Sequence, residues 1–210
     1  MSDIIIIHGY TGAGKTACSK RLAKLSPGSK PIEHLSIGDH LRDIRTGVVS
    51  SKFAHIINNH NTLLPPDPSL INNLIFDLIS PEDNSITLLD GYPRYKDTID
   101  IFLKAIKDHQ HRLLGCLSLD LSFNTCVSRQ INRGVRHGEN IDFIDHESFA
   151  KERYDRHAKI TLDAIDELSK TTPTIHLDAE TDLDTLSQEF NIVVGRLALS
   201  ASNNSSSNKS

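Results

Sequence analysis

IIIIHGYTGAGKTACSKRLA, residues 4–23, reads as a buried strand, a glycine turn and the start of a helix. Four consecutive isoleucines leave no polar face, so Ile4–Ile7 predicts a central strand covered on both sides. Gly9-Tyr10-Thr11-Gly12-Ala13-Gly14-Lys15-Thr16 then satisfies G-x-x-x-x-G-K-[ST] in the position the mechanism demands, after a strand and before a helix. The glycines let backbone N–H groups converge on phosphate oxygens without side-chain clash, and the helix N-terminus adds its partial positive charge. In such a loop the lysine, Lys15, reaches the β- and γ-phosphates, and the hydroxyl of Thr16 binds Mg²⁺. Gly9, Gly12, Ala13, Gly14, Lys15 and Thr16 are therefore candidate ATP-binding residues. Cys18 shares a helical stripe with Leu22 and Leu25 and reads as a small buried residue, not a nucleophile.

The chain has 210 residues, which predicts one domain with room for a substantial core. Aromatics make up 5% and Trp is absent, so stacking platforms for single-stranded nucleic acid are not expected. A net charge of −4 argues against broad polyanion binding while leaving room for a local basic pocket. Cys18, Cys116 and Cys126 are widely spaced without a C-x-x-C pair, which fits a reducing compartment and excludes a zinc site built on paired cysteines. No basic n-region with a signal-like apolar stretch opens the chain, and nothing approaches a membrane span of about 20 apolar residues. The expectation is a cytoplasmic protein without nucleic-acid or membrane partners.

Apolar runs alternate with helical patterns, the signature of a parallel sheet with helices on its faces, hence an α/β fold. The expected strands are Ile4–His8, Ile32–Ser36, Ser85–Leu89, Leu114–Leu119 and Thr174–Leu177. A helix over 39–47 has Gly47 as its stop. In PPDPSLINNLIFDLIS, Asp67 caps, Pro68 suits the first turn, and Leu70, Ile71, Leu74, Ile75 and Leu78 form one apolar stripe. The tail SASNNSSSNKS, residues 200–210, has almost no apolar residue and is expected to be disordered.

Two further stretches, LSIGDHLRDIRTG (35–47) and LLDGYPRYKDT (88–98), surround the same chemistry. Asp90 ends a hydrophobic strand, where a carboxylate can hold a Mg²⁺ hydration shell beyond the sheet edge. The guanidinium forks of Arg42 and Arg94 suit a phosphate held bidentately. With the phosphate loop, G-D-x-x-R and D-G-[FY]-P-R, the chain from about residue 4 to 178 resembles the adenylate kinase family of nucleoside monophosphate kinases, of the short-lid type. That resemblance implies a P-loop three-layer fold on a five-stranded parallel sheet of order 2-3-1-4-5. It implies one kinase domain over residues 1–199, with an acceptor-binding lobe over about 37–79 and a lid over about 133–147. It also implies that Arg42 and Arg94 grip the monophosphate, within an acceptor set of Ile37, Gly38, Arg42, Gly91, Arg94 and Thr98. ATP, the monophosphate and Mg²⁺ held by Thr16 and Asp90 are the implied ligands, and the chain is expected to act as a monomer. A cis Tyr92–Pro93 bond is also expected in the fixed turn.

Arg129, Arg133, Arg136, Arg153 and Arg156 crowd into residues 129–156, where arginines can neutralise charge spreading over a transferred phosphoryl group. The resemblance matches Arg129 and Arg133 to the pair that opens the lid, and Arg153 with Thr161 to the motif that closes it. Lys15, Asp90, Arg129, Arg133 and Arg153 are thus the expected catalytic set, with Arg129 also on ATP. Between these anchors His137-Gly138-Glu139-Asn140-Ile141-Asp142 departs from the S-G-R-x-D-D of short-lid relatives. Either Arg136 or Arg156 substitutes for the missing arginine, or transfer is weakened. Ile37 and Thr98 match neither the AMP pattern nor that of UMP/CMP enzymes, so the base stays open. The expected activity is transfer of the ATP γ-phosphoryl group to AMP, or to UMP/CMP. The alternatives are a nucleotide-binding regulatory protein with weak or lost transfer and a small-metabolite kinase.

Overall fold

The computed structural model describes residues 2–25, 30–59, 67–79, 84–136 and 143–207. Strand β1 (Asp3–Gly9) is buried at every position. Its isoleucines alternate between two cores, Ile5 and Ile7 on one face of the sheet and Ile4 and Ile6 on the other. A strand with no polar face is stable only in the middle of a sheet. There it pairs in parallel with β3 (Ile86–Asp90) and β4 (Arg112–Asp120). The strands β2 (Ile32–Ser36) and β5 (Thr174–Asp178) complete the order β2-β3-β1-β4-β5, as the resemblance implied.

Helices α1 (Lys15–Leu25) and α9 (Leu183–Ser207) cover one face, through Cys18, Leu22, Leu186, Phe190 and Val194. The other face is covered by α4 (Pro68–Leu78), α5 (Ile99–Asp108) and α8 (Leu162–Ser169), which supply Ile71, Ile75, Phe102, Ile106 and Leu168. Between β2 and β3, helices α2 (Ile37–Arg45) and α3 (Ala54–Asn59) join α4 around a small core of their own, Ile44, Ile57, Leu70 and Leu74. Helix α6 (Phe123–Arg136) packs against α7 (Phe143–Arg156), which continues through a π-helical turn, His157–Thr161, into α8. Among the described residues, no helix is long and apolar enough to cross a membrane.

Local signals account for most boundaries. Asp67 accepts from Ser69 N at 2.8 Å with Pro68 in the first turn, as the sequence predicts. Helix α2 starts at Ile37, two residues before the expected 39, because Ser36 accepts from Asp39 N and caps it. At its other end Gly47 takes φ +75°, and Gly47 N and Val48 N return to the carbonyls of Ile44 and Asp43, a Schellman stop. Two apolar stripes end earlier than expected. Leu25 and Leu78 are 64% and 40% exposed, because each is the last residue of its helix. Ile79, extended after α4, turns inward in place of Leu78.

The tail is a correction. Helix α9 runs on to Ser207, where the composition of residues 200–210 predicted disorder, and residues 208–210 lie outside the described residues. A helix already anchored by packing propagates at low cost through residues of poor propensity. Ala201 is buried, and its carbonyl accepts from Arg112 Nη1 at 2.9 Å.

Arg112 also explains why β4 begins two residues before the expected Leu114. It clamps Asp3 through Nε (2.8 Å) and Nη2 (3.1 Å), while Lys30 reaches the same carboxylate at 2.8 Å. Burial pushes the Asp3 carboxyl up, but the two cations outweigh it and hold the group below its ordinary value. Asp3→Asn leaves two cations facing a neutral amide, and calorimetry should show a loss of about 1–3 kcal/mol. His111 is buried, with its ring stacked on Phe76 at 5.4 Å, and burial lowers its affinity for a proton. The unfolded chain then binds that proton near about pH 6.5 while the folded chain resists, so stability falls as pH drops below that value. The melting temperature should decline between pH 7 and 5.5, and His111→Phe should flatten part of that decline.

Candidate active site

The phosphate loop leaves β1 at Gly9, where the strands are too close for a side chain. Its φ is +142°, and a Cβ built there would lie 2.6 Å from the Leu119 carbonyl oxygen of β4. Gly12 and Gly14 also take left-handed φ, +88° and +93°, and Ala13 N donates to Tyr10 O at 3.1 Å. Lys15, the first residue of α1, curls over the loop and donates Nζ to Gly9 O (2.7 Å) and Tyr10 O (3.0 Å). Its ammonium and the N-terminus of α1 thus converge on the same concavity. Cys18 lies below, buried as expected, and burial raises its thiol.

Strand register brings in the second group. Ile7 of β1 lies opposite Asp90 of β3, and Ser36 of β2 lies opposite the same residue. The end of β3 is therefore flanked by the phosphate loop on one side and the cap of α2 on the other. Thr16 Oγ1 donates to Asp90 Oδ2 at 3.1 Å, and Asp90 is only 5% exposed. Burial alone would raise the Asp90 carboxyl. His34 of β2, with Nε2 3.5 Å from Oδ2, together with Lys15 and Thr16 reverses that and lowers it. A buried, ionised carboxylate beside a hydroxyl is a hard oxygen donor set, which fits Mg²⁺.

The remaining expected residues fall into two groups. Arg129 on α6 reaches the loop, donating from Nη1 to Gly12 O (3.3 Å) and from Nη2 to Thr181 O (3.4 Å). Gly9, Gly12, Ala13, Gly14, Lys15, Thr16, Asp90 and Arg129 are thus in one place. Arg42 stands one turn into α2, exposed and ion-paired with Asp39. Arg94 follows the turn after Asp90, its Nε donating to Gly91 O at 3.0 Å, and the Tyr92–Pro93 bond is cis. Both arginines lie beyond the same sheet edge, at its β2–β3 side. Ile37 is buried in the core, Gly38 sits in the first turn of α2, and the Thr98 hydroxyl donates to Tyr95 O at 2.7 Å. Arg133 lies one turn beyond Arg129 on α6, and Arg153 lies on α7. Arg156 pairs with Glu152, and the divergent stretch 137–142 lies outside the described residues.

Sequence reasoning missed three contributors. His34 reaches Asp90 only because β2 and β3 pair in this register, which no local pattern announces. Tyr10 stacks on Tyr154 across more than a hundred positions of chain. Glu180 accepts from Ser122 N and Thr125 Oγ1, both at 2.6 Å, and so ties the β5–α9 turn to the start of α6. An open cleft of about 390 Å³ lies at the ends of β4 and β5, bordered by Tyr10 of the phosphate loop, and in it His176 Nδ1 and Asp120 Oδ2 pair at 2.7 Å.

A five-stranded parallel sheet of this order, with a glycine loop after its central strand and a carboxylate ending the next, defines a P-loop phosphotransferase scaffold. No protein-family model matches the chain. It is 27% identical to the adenylate kinase of Petrotoga mobilis over 215 residues, covering 90% of this chain and 96% of the relative. It is 30% identical to the adenylate kinase of Phocaeicola vulgatus over 139 residues, covering 66% of this chain and 71% of the relative. With the adenylate kinase of Wolinella succinogenes it shares 25% over 144 residues, 68% of this chain and 74% of the relative. The chain belongs to the adenylate kinase family.

Gly9→Ala should weaken nucleotide binding at least tenfold in a calorimetric titration and cost about 1–3 kcal/mol of stability, because the Cβ meets backbone on β4.

Proposed function

We propose that this chain is an ATP-dependent nucleoside monophosphate kinase, in which the site above passes the ATP γ-phosphoryl group to the phosphate of a second nucleotide. The observation that carries the reading is the meeting, at one sheet edge, of the phosphate loop, the Thr16–Asp90 pair and two arginines held on separate elements. A nucleotide binder needs the first of these; only a transferase needs an anion clamp beside it.

In this reading Gly9, Gly12, Ala13, Gly14 and Lys15 cradle the ATP phosphates, and Arg129, bridging the loop to Thr181, flanks the donor nucleotide. Arg42 and Arg94 exchange their present partners, Asp39 and the Gly91 carbonyl, for the acceptor phosphate. Gly38 and Gly91 let the backbone approach it, and Ile37 and Thr98 border the base. Thr16 and Asp90 would hold Mg²⁺, partly through water; when bound, it supplies charge neutralisation across the β- and γ-phosphates. Lys15, Arg129, Arg133 and Arg153 stabilise the charge that develops on the transferred group. No general base is required, because a phosphate acceptor is already anionic near neutral pH. The lobe over about 37–79 and the lid over about 133–147 would close over the two substrates and exclude water, a competing acceptor. Three buried free thiols support a reducing, cytoplasmic setting.

One observation favours a second reading. The arginine that short-lid relatives carry just before their Asp pair is missing, with the acids Glu139 and Asp142 in that region, and Arg156 is engaged with Glu152. A chain short of one lid cation would bind nucleotide yet transfer slowly.

A coupled assay of ATP against AMP, CMP, UMP, GMP and dTMP decides between them. Turnover with at least one acceptor is expected, whereas nucleotide binding with no turnover on any of them supports the second reading. Arg42→Ala and Arg94→Ala should each raise the acceptor KM about 10–100-fold while the ATP KM moves less than about threefold.

A further inference from the structure

Tyr10, the second residue of the phosphate loop, is part of two structures at once. Its carbonyl accepts from Lys15 Nζ and Ala13 N, inside the cradle. Its ring, only 8% exposed, lies flat against Tyr154 of α7, with centroids 4.5 Å apart and planes 15° apart. Phe123, the first residue of α6, meets Tyr154 edge-on at 5.2 Å and 80°. Burial, then a hydrogen bond shared with Tyr154, pushes the Tyr10 phenol up to about 12, so the Tyr10 ring stays neutral at the loop.

The stack sits at a turning point of the long helix. Tyr154 and Ala158 pack on the core formed by α1 and α9. The π-helical turn His157–Thr161 follows at once, and beyond it Ala164 and Leu168 belong to the core on the opposite face of the sheet. Such a turn adds one residue to the helix and shifts every later side chain around its axis. The rotation of α7 is therefore not inherited from α8 and must be set locally. An anchored ring at 154 therefore fixes the turn of the α7 backbone that carries position 153.

We propose that Tyr154 is a positioning residue for phosphoryl transfer: stacked on Tyr10 and wedged by Phe123, it locks the rotation of α7 against the phosphate loop and so sets where position 153 stands. This rests on the assignment of Arg153 to the transferred phosphoryl group. An arginine misdirected by about 1 Å loses most of its effect on a transition state while ATP binding, made by the loop itself, survives.

The test uses the full chain with Tyr154→Leu, Tyr154→Phe, Arg153→Gln and the double variant Tyr154→Leu/Arg153→Gln. Each is read by kcat, both KM values, the ATP dissociation constant from calorimetry and the melting temperature. Tyr154→Leu should lower kcat about tenfold or more while the ATP dissociation constant moves less than about threefold. Tyr154→Phe, which keeps the stacked ring, should bring kcat back to within about threefold of the parent. Adding Tyr154→Leu to Arg153→Gln should cost less than about twofold further, since the first acts through the second. Fully additive losses, or a Tyr154→Leu protein that melts earlier yet keeps its kcat, would overturn the proposal. If Arg153→Gln itself leaves kcat unchanged, the assignment of Arg153 has failed; if it is damaging and Tyr154→Leu is silent, only the positioning role has failed. Should Tyr154→Leu not fold, Phe123→Leu removes the wedge from the α6 side and is held to the same kcat and ATP-binding outcomes.

Discussion

The parallel ladder between β1 and its two neighbours is the constraint from which the site follows. Ile7 opposite Asp90 puts the carboxylate beside the phosphate loop, and Gly9 against Leu119 brings the loop down onto the end of β4. A slip of one residue in either pairing would turn Asp90 to the other face and open the cradle. What prevents the slip is the division of Ile4–Ile7 between two cores. Each buried isoleucine contributes about 1.5–3 kcal/mol, and a shifted register exchanges which core each one fills. The chemistry at the edge is thus held by apolar packing several ångströms away.

Charge at that edge is arranged in a sequence of compensations. Burial by itself pushes the Asp90 carboxyl up, yet His34, Lys15 and Thr16 outweigh it and hold the group below its ordinary value. Lys15 is not left to solvent; it is tethered to the carbonyls of Gly9 and Tyr10 at the mouth of the loop. Arg129, Arg42 and Arg94 each rest on a carbonyl or carboxylate that a phosphate can displace. In the proposed transfer these partners hold the cations at the site until an anionic ligand exchanges with them. The α6–α7 side is built differently, from aromatic contact. Tyr10, Tyr154 and Phe123 connect the loop to α7 and α6 without adding charge where phosphate oxygens must fit.

Much of this was legible along the chain. The strand, loop and helix of residues 4–23 announced themselves by an apolar run, glycines at fixed offsets and Lys15-Thr16. Asp67, Pro68 and Gly47 marked helix ends because capping is a matter of a few neighbouring residues. The failures share a cause. Composition alone made 200–210 look disordered, but α9 carries its helix to Ser207 because Ala201 is buried and Arg112 meets its carbonyl. Leu25 and Leu78 fit a helical period, yet the core ends one turn before them. Periodicity says which residues share a face and not how far the facing surface extends.

The sequence by itself determined the α/β class, the phosphate loop, the carboxylate at the end of β3 and the arginine-bearing elements after β2 and β3. Each of these is a local pattern, encoded by propensity, spacing and residue type within a dozen positions. Tertiary structure alone decided that His34 braces Asp90, that Glu180 ties the β5–α9 turn to α6, and that Tyr154 of α7 stacks on Tyr10. These contacts join residues 55 or more apart along the chain, and only strand register and helix packing bring such pairs within a few ångströms.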